Sequence, residues 1–441
     1  MGSLTHLGGV VASAEGTTRV RARLLIIASA IGMLGWGAVL PYQYAYAAET
    51  RGWGTLLAAA ASSLFSIGAL VAAPIAGRLA DRVNPVTVAV VAQLLGAAGV
   101  ASLIVIDEPF AFLAGMFVFG LGLAAAVPAK QVLVLRWSSG DDRRKVFAYK
   151  FTGESLGMAA GAFFAGQIVD LSTPNGLDIG FAIAAAGFVV SSLLIAIAGR
   201  GASAHEEIAF DANAPRAEGT GVVRAILSTP ALRWTVVVTI TLALGFYAQF
   251  EAGLPAYGLT VLDIDASAIG IAAAVNCIVI VALQVVMVRL TVKRDAATLL
   301  MAVGMIWVVS WTVLSFAQFA PGIASALFVM TYGIFAVGET IYSPVLNPLT
   351  AQLAPRGMVG QTLGTISALQ TAFSAAGPLV AGLLLGAGLA DVFLGMHLVI
   401  SMIAVFAAWR IKKTLAVRPP VPPLEERYER ANPPTAPLTI A

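Results

Sequence analysis

The chain has 441 residues, of which 59% are hydrophobic and 11% are charged. A typical soluble domain carries about 25% charged residues, so this composition excludes an ordinary water-soluble enzyme or binding domain. The net charge of +3 is spread over many short loops, and no basic patch is interleaved with aromatic residues, which argues against nucleic-acid binding. The composition is that of a polytopic membrane protein.

Twelve apolar stretches of about 20 residues or more follow one another along the chain, each long enough to cross the hydrocarbon layer of a membrane as a helix. The runs are continuous rather than alternating, which excludes a membrane β-barrel. We number them spans 1–12 in chain order. They are residues 22–46, 54–78, 85–106, 109–136, 146–170, 178–199, 228–254, 266–290, 296–317, 320–353, 358–387 and 391–414.

Positive charge is distributed unevenly among the loops between these spans. With the N-terminus placed inside, 23 of the 26 Lys and Arg residues fall on the inner side. Arg51 falls outside, and Lys130 and Lys150 fall within spans 4 and 5. Cytoplasmic loops retain Lys and Arg during membrane insertion. We therefore expect a multi-pass protein of the inner cell membrane with both termini in the cytoplasm.

The longest break between spans divides them into two sets of six. Residues 200–227 are predicted to form a cytoplasmic linker between six-helix bundles at 22–199 and 228–414. Residues 1–21 lack the apolar core of a signal peptide and are predicted to be a short cytoplasmic segment. The Pro-rich residues 415–441 are predicted to form a disordered cytoplasmic tail. The expected fold is an all-α membrane protein with twelve transmembrane helices in two pseudo-symmetric bundles.

The two predicted bundles show weak internal similarity. Span 1 has Leu-Gly-Trp at 34–36 and Leu-Pro at 40–41, and span 7 has Leu-Gly-Phe at 244–246 and Leu-Pro at 254–255. Parallel six-helix repeats of this kind are a known layout of membrane transporters. The internal similarity therefore favours a transporter.

The loop between spans 2 and 3 carries the strongest local motif. Residues 77–85 read Gly-Arg-Leu-Ala-Asp-Arg-Val-Asn-Pro, which resembles the G-x-L-a-D-r-x-G-r motif of the major facilitator superfamily. Gly77 is expected to let span 2 approach a neighbouring backbone closely. Asp81 is expected to pair with Arg82 or with the N-terminus of another helix, as part of a cytoplasmic gate. An ordinary hydrophilic turn is the alternative interpretation.

The resemblance to this superfamily covers about residues 22–414. It implies alternating access of a midplane cavity, in which two helical halves rock around a small-molecule substrate within the lipid bilayer. It also implies a protein that works as a monomer. Within the loop motif, Asn84 and Pro85 predict the N-cap and the first residue of the next helix.

Glycine-rich segments in spans 4, 5 and 11 resemble further motifs of the superfamily. Residues 120–124 match a G-x-G-x-A core whose usual arginine is replaced by Met116. Spans 5 and 11 resemble the antiporter motif G-x-x-x-G-P-x-x-G, with Met158 in place of the proline in span 5. Generic small-residue packing is the alternative explanation. The candidate helix-bend residues are Gly157, Gly161, Gly377 and Pro378.

Charged residues within the spans are the strongest functional candidates, because an ionised group in hydrocarbon costs several kcal/mol unless it has a partner or faces water. Glu339 lies deep in span 10 with no basic residue nearby in sequence, which suits a proton carrier. Glu154 is predicted either to carry protons or to pair with Lys130, and Lys150 to reach the interface. The predicted proton-coupling and cavity residues are Glu339, Glu154, Lys130, Glu251, Gln43, Tyr247 and Asn347.

Several other kinds of chemistry find no support in the sequence. It has no phosphate-binding loop, its three histidines are scattered, and it has one cysteine. We therefore expect no enzyme, no cofactor and no metal site, and a proton gradient as the driving force. Residues 338–344 resemble the G-E-x-x-x-x-P segment of bacterial drug:proton antiporters, which favours proton-coupled efflux of drugs or other small organic molecules. A metabolite importer or uniporter, and a non-transporting sensor or scaffold, are the alternatives.

Overall fold

A computed structural model describes residues 2–202 and 221–416, without the side chains of residues 2–16, 55, 140, 141, 251, 252, 266 and 267. Throughout these residues the regular elements are helices. The main helices follow the order of the predicted spans. They are α1 Gly2–Val39, α2 Thr55–Arg82, α3 Pro85–Ser102, α4 Pro109–Arg136, α5 Gly140–Ile168, α6 Asp178–Ala198, α7 Pro230–Leu242, α8 Ala266–Thr291, α9 Ala296–Ala317, α10 Ala324–Leu353, α11 Val359–Gly386 and α12 Ala390–Ala416.

Short helical segments extend some of these helices. Segments Gln43–Ala45 and Tyr46–Thr50 follow α1, and Val222–Ser228 precedes α7. Three more follow α7, namely Ala243–Tyr247, Gln249–Gly253 and Leu254–Thr260, and Pro321–Ile323 precedes α10. Segments Tyr46–Thr50, Ala243–Tyr247 and Gln249–Gly253 are π-helical. Predicted span 1 is therefore interrupted at its Leu-Pro pair. Predicted span 7 stays helical, becomes π-helical at Ala243 and returns to an α-helix at its own pair, Leu254-Pro255.

The chain ends and the linker differ in how far the structure describes them. The first helix begins at Gly2, so the predicted separate segment 1–21 is helical from its second residue onward. Most of the predicted linker, residues 203–220, and almost all of the predicted tail, residues 417–441, lie outside the described residues. The predicted N-cap is confirmed, because the Asn84 side chain accepts a hydrogen bond from the Val86 amide and Pro85 begins α3.

Eleven helical segments of the described residues are long and apolar enough to cross a membrane. Helix α5 is not one of these eleven segments. Its 29 residues carry charged side chains in the first turns and again near the centre of the helix. It nevertheless runs parallel to α1, with Gly157 against Ala30 and Gly161 against Leu34. A 29-residue helix is roughly 43 Å long. Helix α5 therefore lies in the same layer as α1 and completes the predicted twelve.

Helix contacts in the first half repeat in the second half with a shift of six helices. Helix α1 packs against α5 and α6, α2 against α4, and α3 against α4 and α6. Correspondingly, α7 and its extensions pack against α11 and α12, α8 against α10, and α9 against α10 and α12. This repetition confirms the predicted pair of pseudo-symmetric six-helix bundles.

The buried apolar clusters show where the two halves meet. One cluster lies entirely within residues 222–411, and another, around Trp36 and Phe112, contains first-half residues. A third combines Ala80 and Trp137 of the first half with Leu363 of the second. It lies where α2, α4, α6 and α10 end, which we call the basic end because most loop Arg and Lys residues lie there. The halves therefore share apolar packing at the basic end.

Candidate functional site

Glu339 lies near the middle of the 30-residue helix α10 and is 5% exposed. Asn276 of α8 donates a hydrogen bond from Nδ2 to Glu339 Oε2 at 2.9 Å. The hydroxyl of Tyr247, at the end of the first π-helical segment after α7, also hydrogen-bonds to this carboxyl. Three helical elements of the second half therefore converge on one buried acid, which we call the Glu339 cluster.

Aromatic rings enclose the Glu339 cluster. The Tyr342 ring centroid lies 5.9 Å from that of Tyr247 and 6.2 Å from that of Trp307, and Phe246 lies 5.1 Å from Trp307. Such a wall excludes water and lowers the local dielectric, which strengthens every electrostatic interaction inside it. The carboxyl therefore lies in surroundings that penalise an uncompensated charge.

The partners of Glu339 are neutral. The ion pairs formed by the described residues do not include it. Its hydrogen bonds come from an amide and a phenol, neither of which carries a charge. An isolated carboxylate within a membrane costs several kcal/mol. The geometry suits a carboxyl that takes up and releases a proton rather than one that holds an ion pair permanently.

A second group of buried charges joins α4 and α5 in the first half. Lys150 Nζ lies 2.6 Å from Glu154 Oε1, and Lys130 Nζ lies 3.9 Å from the same oxygen. The side chains of Lys130 and Lys150 are 3% and 9% exposed, whereas that of Glu154 is 21% exposed. We call these three residues the lysine pair and its glutamate.

The structure shows the expected ion pair of Glu154 with Lys130 and adds a shorter one with Lys150. The sequence predicted pairing with Lys130 and placed Lys150 at the interface, but the short contact is the intrahelical one to Lys150. Residues four apart on a helix lie on one face, and burial on that face outweighs the reach of the lysine side chain towards water. Lys130 and Glu154 do approach each other, at the longer distance.

The remaining predicted cavity residues are less closely connected to either group. Gln43 is buried beyond the end of α1, and its Oε1 has no hydrogen-bond partner within the described structure. Asn347 is half-buried on α10, about 12 Å along the helix from Glu339. Neither bonds to Glu339 or Glu154. The side chain of Glu251 lies outside the described residues. The structure thus adds Asn276, which was not among the predicted site residues.

At the basic end, Asp81 bridges the two halves. Its carboxylate accepts hydrogen bonds from the backbone amides of Gly360, at 2.6 Å, and Gln361, at 2.8 Å, in the first turn of α11. A methyl group on Gly77 would overlap the Gly360 carbonyl, so both glycines are needed for the helices to approach this closely. Of the two partners considered for Asp81, the structure shows the helix N-terminus, and Arg82 is exposed.

Arg144 makes a second contact between the halves with the opposite polarity. Its guanidinium donates to the backbone carbonyls of Thr291, Val292 and Arg294 at 2.9, 3.0 and 2.7 Å, at the C-terminal end of α8. Cations are favoured at helix C-termini, as anions are at N-termini. Sequence reasoning missed this residue. The available signal was the loop at 288–293, which corresponds to 77–82 in the first half and has Val292 at the position of Asp81.

The glycines of the predicted bend motifs pack closely against neighbouring helices. A methyl group on Gly157 or Gly161 would overlap backbone carbonyls of α1. One on Gly377 would overlap Ala248, which separates the two π-helical segments after α7. Helix α11 continues through Pro378 without a break in its assignment. The structure therefore shows close packing at these positions and leaves the predicted bend a prediction.

Other titratable groups have structural roles. His397 is buried against the Trp311 ring at 4.3 Å, and its Nδ1 lies 2.7 Å from the Phe393 carbonyl oxygen. Among the described residues, no three His, Cys, Asp or Glu side chains form a group that could hold a metal ion. The two clusters of buried charge and the contacts at the basic end are therefore the functional candidates.

Comparison with protein families gives a single assignment. The family model described as Major Facilitator Superfamily matches residues 25–340. A search of curated proteins found no match by sequence.

Several solved structures share the fold. The human organic anion transporter MFSD10 aligns with a TM-score of 0.67 at 14% identity, over 89% of this chain and 99% of that one. The E. coli fucose:proton symporter aligns with a TM-score of 0.69 at 15% identity, over 89% and 99%. A bacterial homologue of the iron transporter ferroportin, in an outward-facing state, aligns with a TM-score of 0.69 at 16% identity, over 90% and 99%. At these identities the likeness establishes the fold alone.

Proposed function

The chain belongs to the major facilitator superfamily, and on that basis we propose that it is a proton-coupled exporter of drugs or other small organic molecules. It is a multi-pass membrane protein with the fold of a membrane transporter, which is not an enzyme fold. The proposal places it in the inner cell membrane as a monomer, with both termini in the cytoplasm and no cofactor other than the proton gradient.

The observation that carries proton coupling is the Glu339 cluster. A carboxyl that is 5% exposed, bonded to Asn276 and Tyr247 and walled by aromatic rings, changes its charge when it binds a proton. That change alters the cost of burying it, and therefore alters the relative stability of the two conformations of the transporter. Proton binding at Glu339 thereby supplies the bias that drives the cycle.

Closure at the basic end supports alternating access. Asp81 binds the N-terminus of α11, and Arg144 binds the C-terminus of α8, so two side chains of the first half hold two helix ends of the second. The positive-inside rule places this end in the cytoplasm. The conformation is then closed towards the cytoplasm, like the outward-facing state of the ferroportin homologue. Opening requires both contacts to break.

The direction of transport rests on the motifs. Residues 338–344 and the Gly377-Pro378 segment resemble those of drug:proton antiporters, which favours export. A buried proton-binding acid could equally drive import, and a fucose:proton symporter is among the structural neighbours. The sign of the pH gradient that drives accumulation separates these two modes.

The test is transport by purified protein in liposomes, using a panel of labelled small organic compounds and an imposed pH gradient of either sign. At least one compound is expected to accumulate in the liposomes when the pH gradient drives protons across the membrane in the opposite direction. Glu339→Gln is expected to abolish gradient-driven accumulation while preserving exchange of the compound between the two sides. Glu49→Gln is the matched control, since Glu49 is exposed outside both clusters. Full gradient-driven transport by Glu339→Gln would overturn the proposal.

A further inference from the structure

We infer that the transported substrate is an organic anion and that Lys130 binds its carboxylate. This inference rests on the proposed transport function and gives it a substrate class. It follows from the charge balance and the hydrogen bonding of the lysine pair and its glutamate.

The cluster carries one more positive than negative charge. Both ammonium groups approach a single carboxylate oxygen, Glu154 Oε1. The charged groups that act on Lys130 are Glu154 and Lys150, and the ion pairs of the described residues bring no second acid to either lysine. The protein itself therefore leaves a net positive charge inside the first bundle, on helices α4 and α5.

Lys130 makes no hydrogen bond within the described residues. Its side chain is 3% exposed, and Glu154 Oε1 lies 3.9 Å from its Nζ, beyond hydrogen-bond length. An ammonium group has three N–H donors. A ligand oxygen placed beside Lys130 would supply the missing acceptor and the missing negative charge together.

A structural link between α4 and α5 does not account for this arrangement. Such a link requires one lysine and one glutamate at hydrogen-bond distance, yet the short contact here is within α5, to Lys150. The Glu154 carboxylate lies beside both lysines, which shows that the site accommodates a carboxylate group. Its side chain is 21% exposed, so the cluster is not sealed by protein. A substrate carboxylate can therefore bind Lys130 while Glu154 keeps Lys150.

The test measures binding separately from transport. The full chain is purified in detergent, and its thermal unfolding is followed with rising concentrations of benzoate and 2-naphthoate at constant ionic strength. The neutral controls are benzamide and 2-naphthamide, which have nearly the same shape. A ligand that binds the folded state raises the unfolding temperature. The carboxylates are expected to stabilise the protein and the amides are not.

Substitutions identify the site. Lys130→Met is expected to weaken carboxylate binding about tenfold or more, the loss of one charge-assisted hydrogen bond. Lys130→Arg keeps the charge and is expected to retain binding. Glu154→Gln removes the internal competitor and is expected to strengthen carboxylate binding. Lys145→Met, at an exposed lysine of α5 paired with Asp142, is the matched control and should change nothing.

The opposite results overturn the inference. If neither carboxylate stabilises the protein more than its amide, the site does not bind organic anions. If Glu154→Gln weakens binding together with Lys130→Met, the three residues form a structural link and not a binding site. Glu339→Gln is expected to bind carboxylates as the unaltered protein does. The two proposals can therefore fail separately. Loss of proton coupling in Glu339→Gln does not affect carboxylate binding, and a lack of carboxylate binding does not contradict proton coupling through Glu339.

Discussion

Glu339 and Glu154 are both glutamates on helices that contact the opposite half, but their partners differ in charge. Glu339 is bonded by the neutral side chains of Asn276 and Tyr247. Glu154 shares one oxygen between Lys130 and Lys150. An acid with neutral partners can lose its charge without leaving a cation unpaired. The proposed roles divide accordingly, with proton binding at Glu339 and substrate binding beside Glu154.

At this scale, Tyr247→Phe is expected to alter proton coupling without abolishing transport. It removes one hydrogen bond to the Glu339 carboxyl, worth about 1 kcal/mol, and so changes the proton concentration for half-maximal transport by about fivefold. Transport measured against pH in liposomes gives this value. Tyr332→Phe is the matched control, since its hydroxyl bonds the Phe250 carbonyl away from Glu339. An equal change in both variants would contradict the assigned role of Tyr247.

Among the elements, the helix ends at the basic end are held by side chains of opposite charge. Asp81 meets the partial positive charge of the α11 N-terminus, and Arg144 meets the partial negative charge of the α8 C-terminus. In the second half, Val292 stands at the position that corresponds to Asp81. The pseudo-symmetric position is instead served by a base from the other half. Pseudo-symmetry of the helices is thus retained while the charges are inverted.

The expected effect of breaking either contact is a shift away from the closed conformation. Asp81→Asn and Arg144→Met each remove charge-assisted hydrogen bonds worth about 1.5–3 kcal/mol, so the closed fraction should fall about tenfold or more relative to the open one. Spin labels at the exposed residues Val83 and Lys293, one on each half, report this as a longer distance. Arg78→Gln, an exposed change on α2, is the control. Unchanged distances in both variants would show that these contacts do not hold the halves together.

Features that depend on residues close together in the sequence could be predicted, and contacts between distant helices could not. The helices, the capping of α3 by Asn84 and the burial of Glu339 follow from composition, spacing and a short motif. The preference of Glu154 for Lys150 and the reach of Arg144 to α8 depend on how each helix is rotated and which way each side chain leans. Spacing along one helix does not determine these properties. Contacts between elements were therefore the part that needed the structure.

In the whole molecule, each half has its own apolar core and the described halves share one cluster at the basic end. The covalent connection between them is then not required for assembly, since contacts such as those of Asp81 and Gly77 with Gly360 hold the halves from within. Chains tolerate cuts in connections that few contacts cross. We propose that the predicted linker is such a connection.

We therefore expect a protease site inserted between residues 210 and 211 to be cleaved in the purified protein with retention of transport and of the complex between the two fragments. Gel filtration of the cleaved protein and gradient-driven uptake in liposomes measure the two outcomes. A site inserted between Trp137 and Ser138 is the control. Both residues are buried at the basic end, so cutting there should disrupt closure and lower transport. Separation of the fragments after linker cleavage would show that the halves depend on the linker rather than on their shared interface.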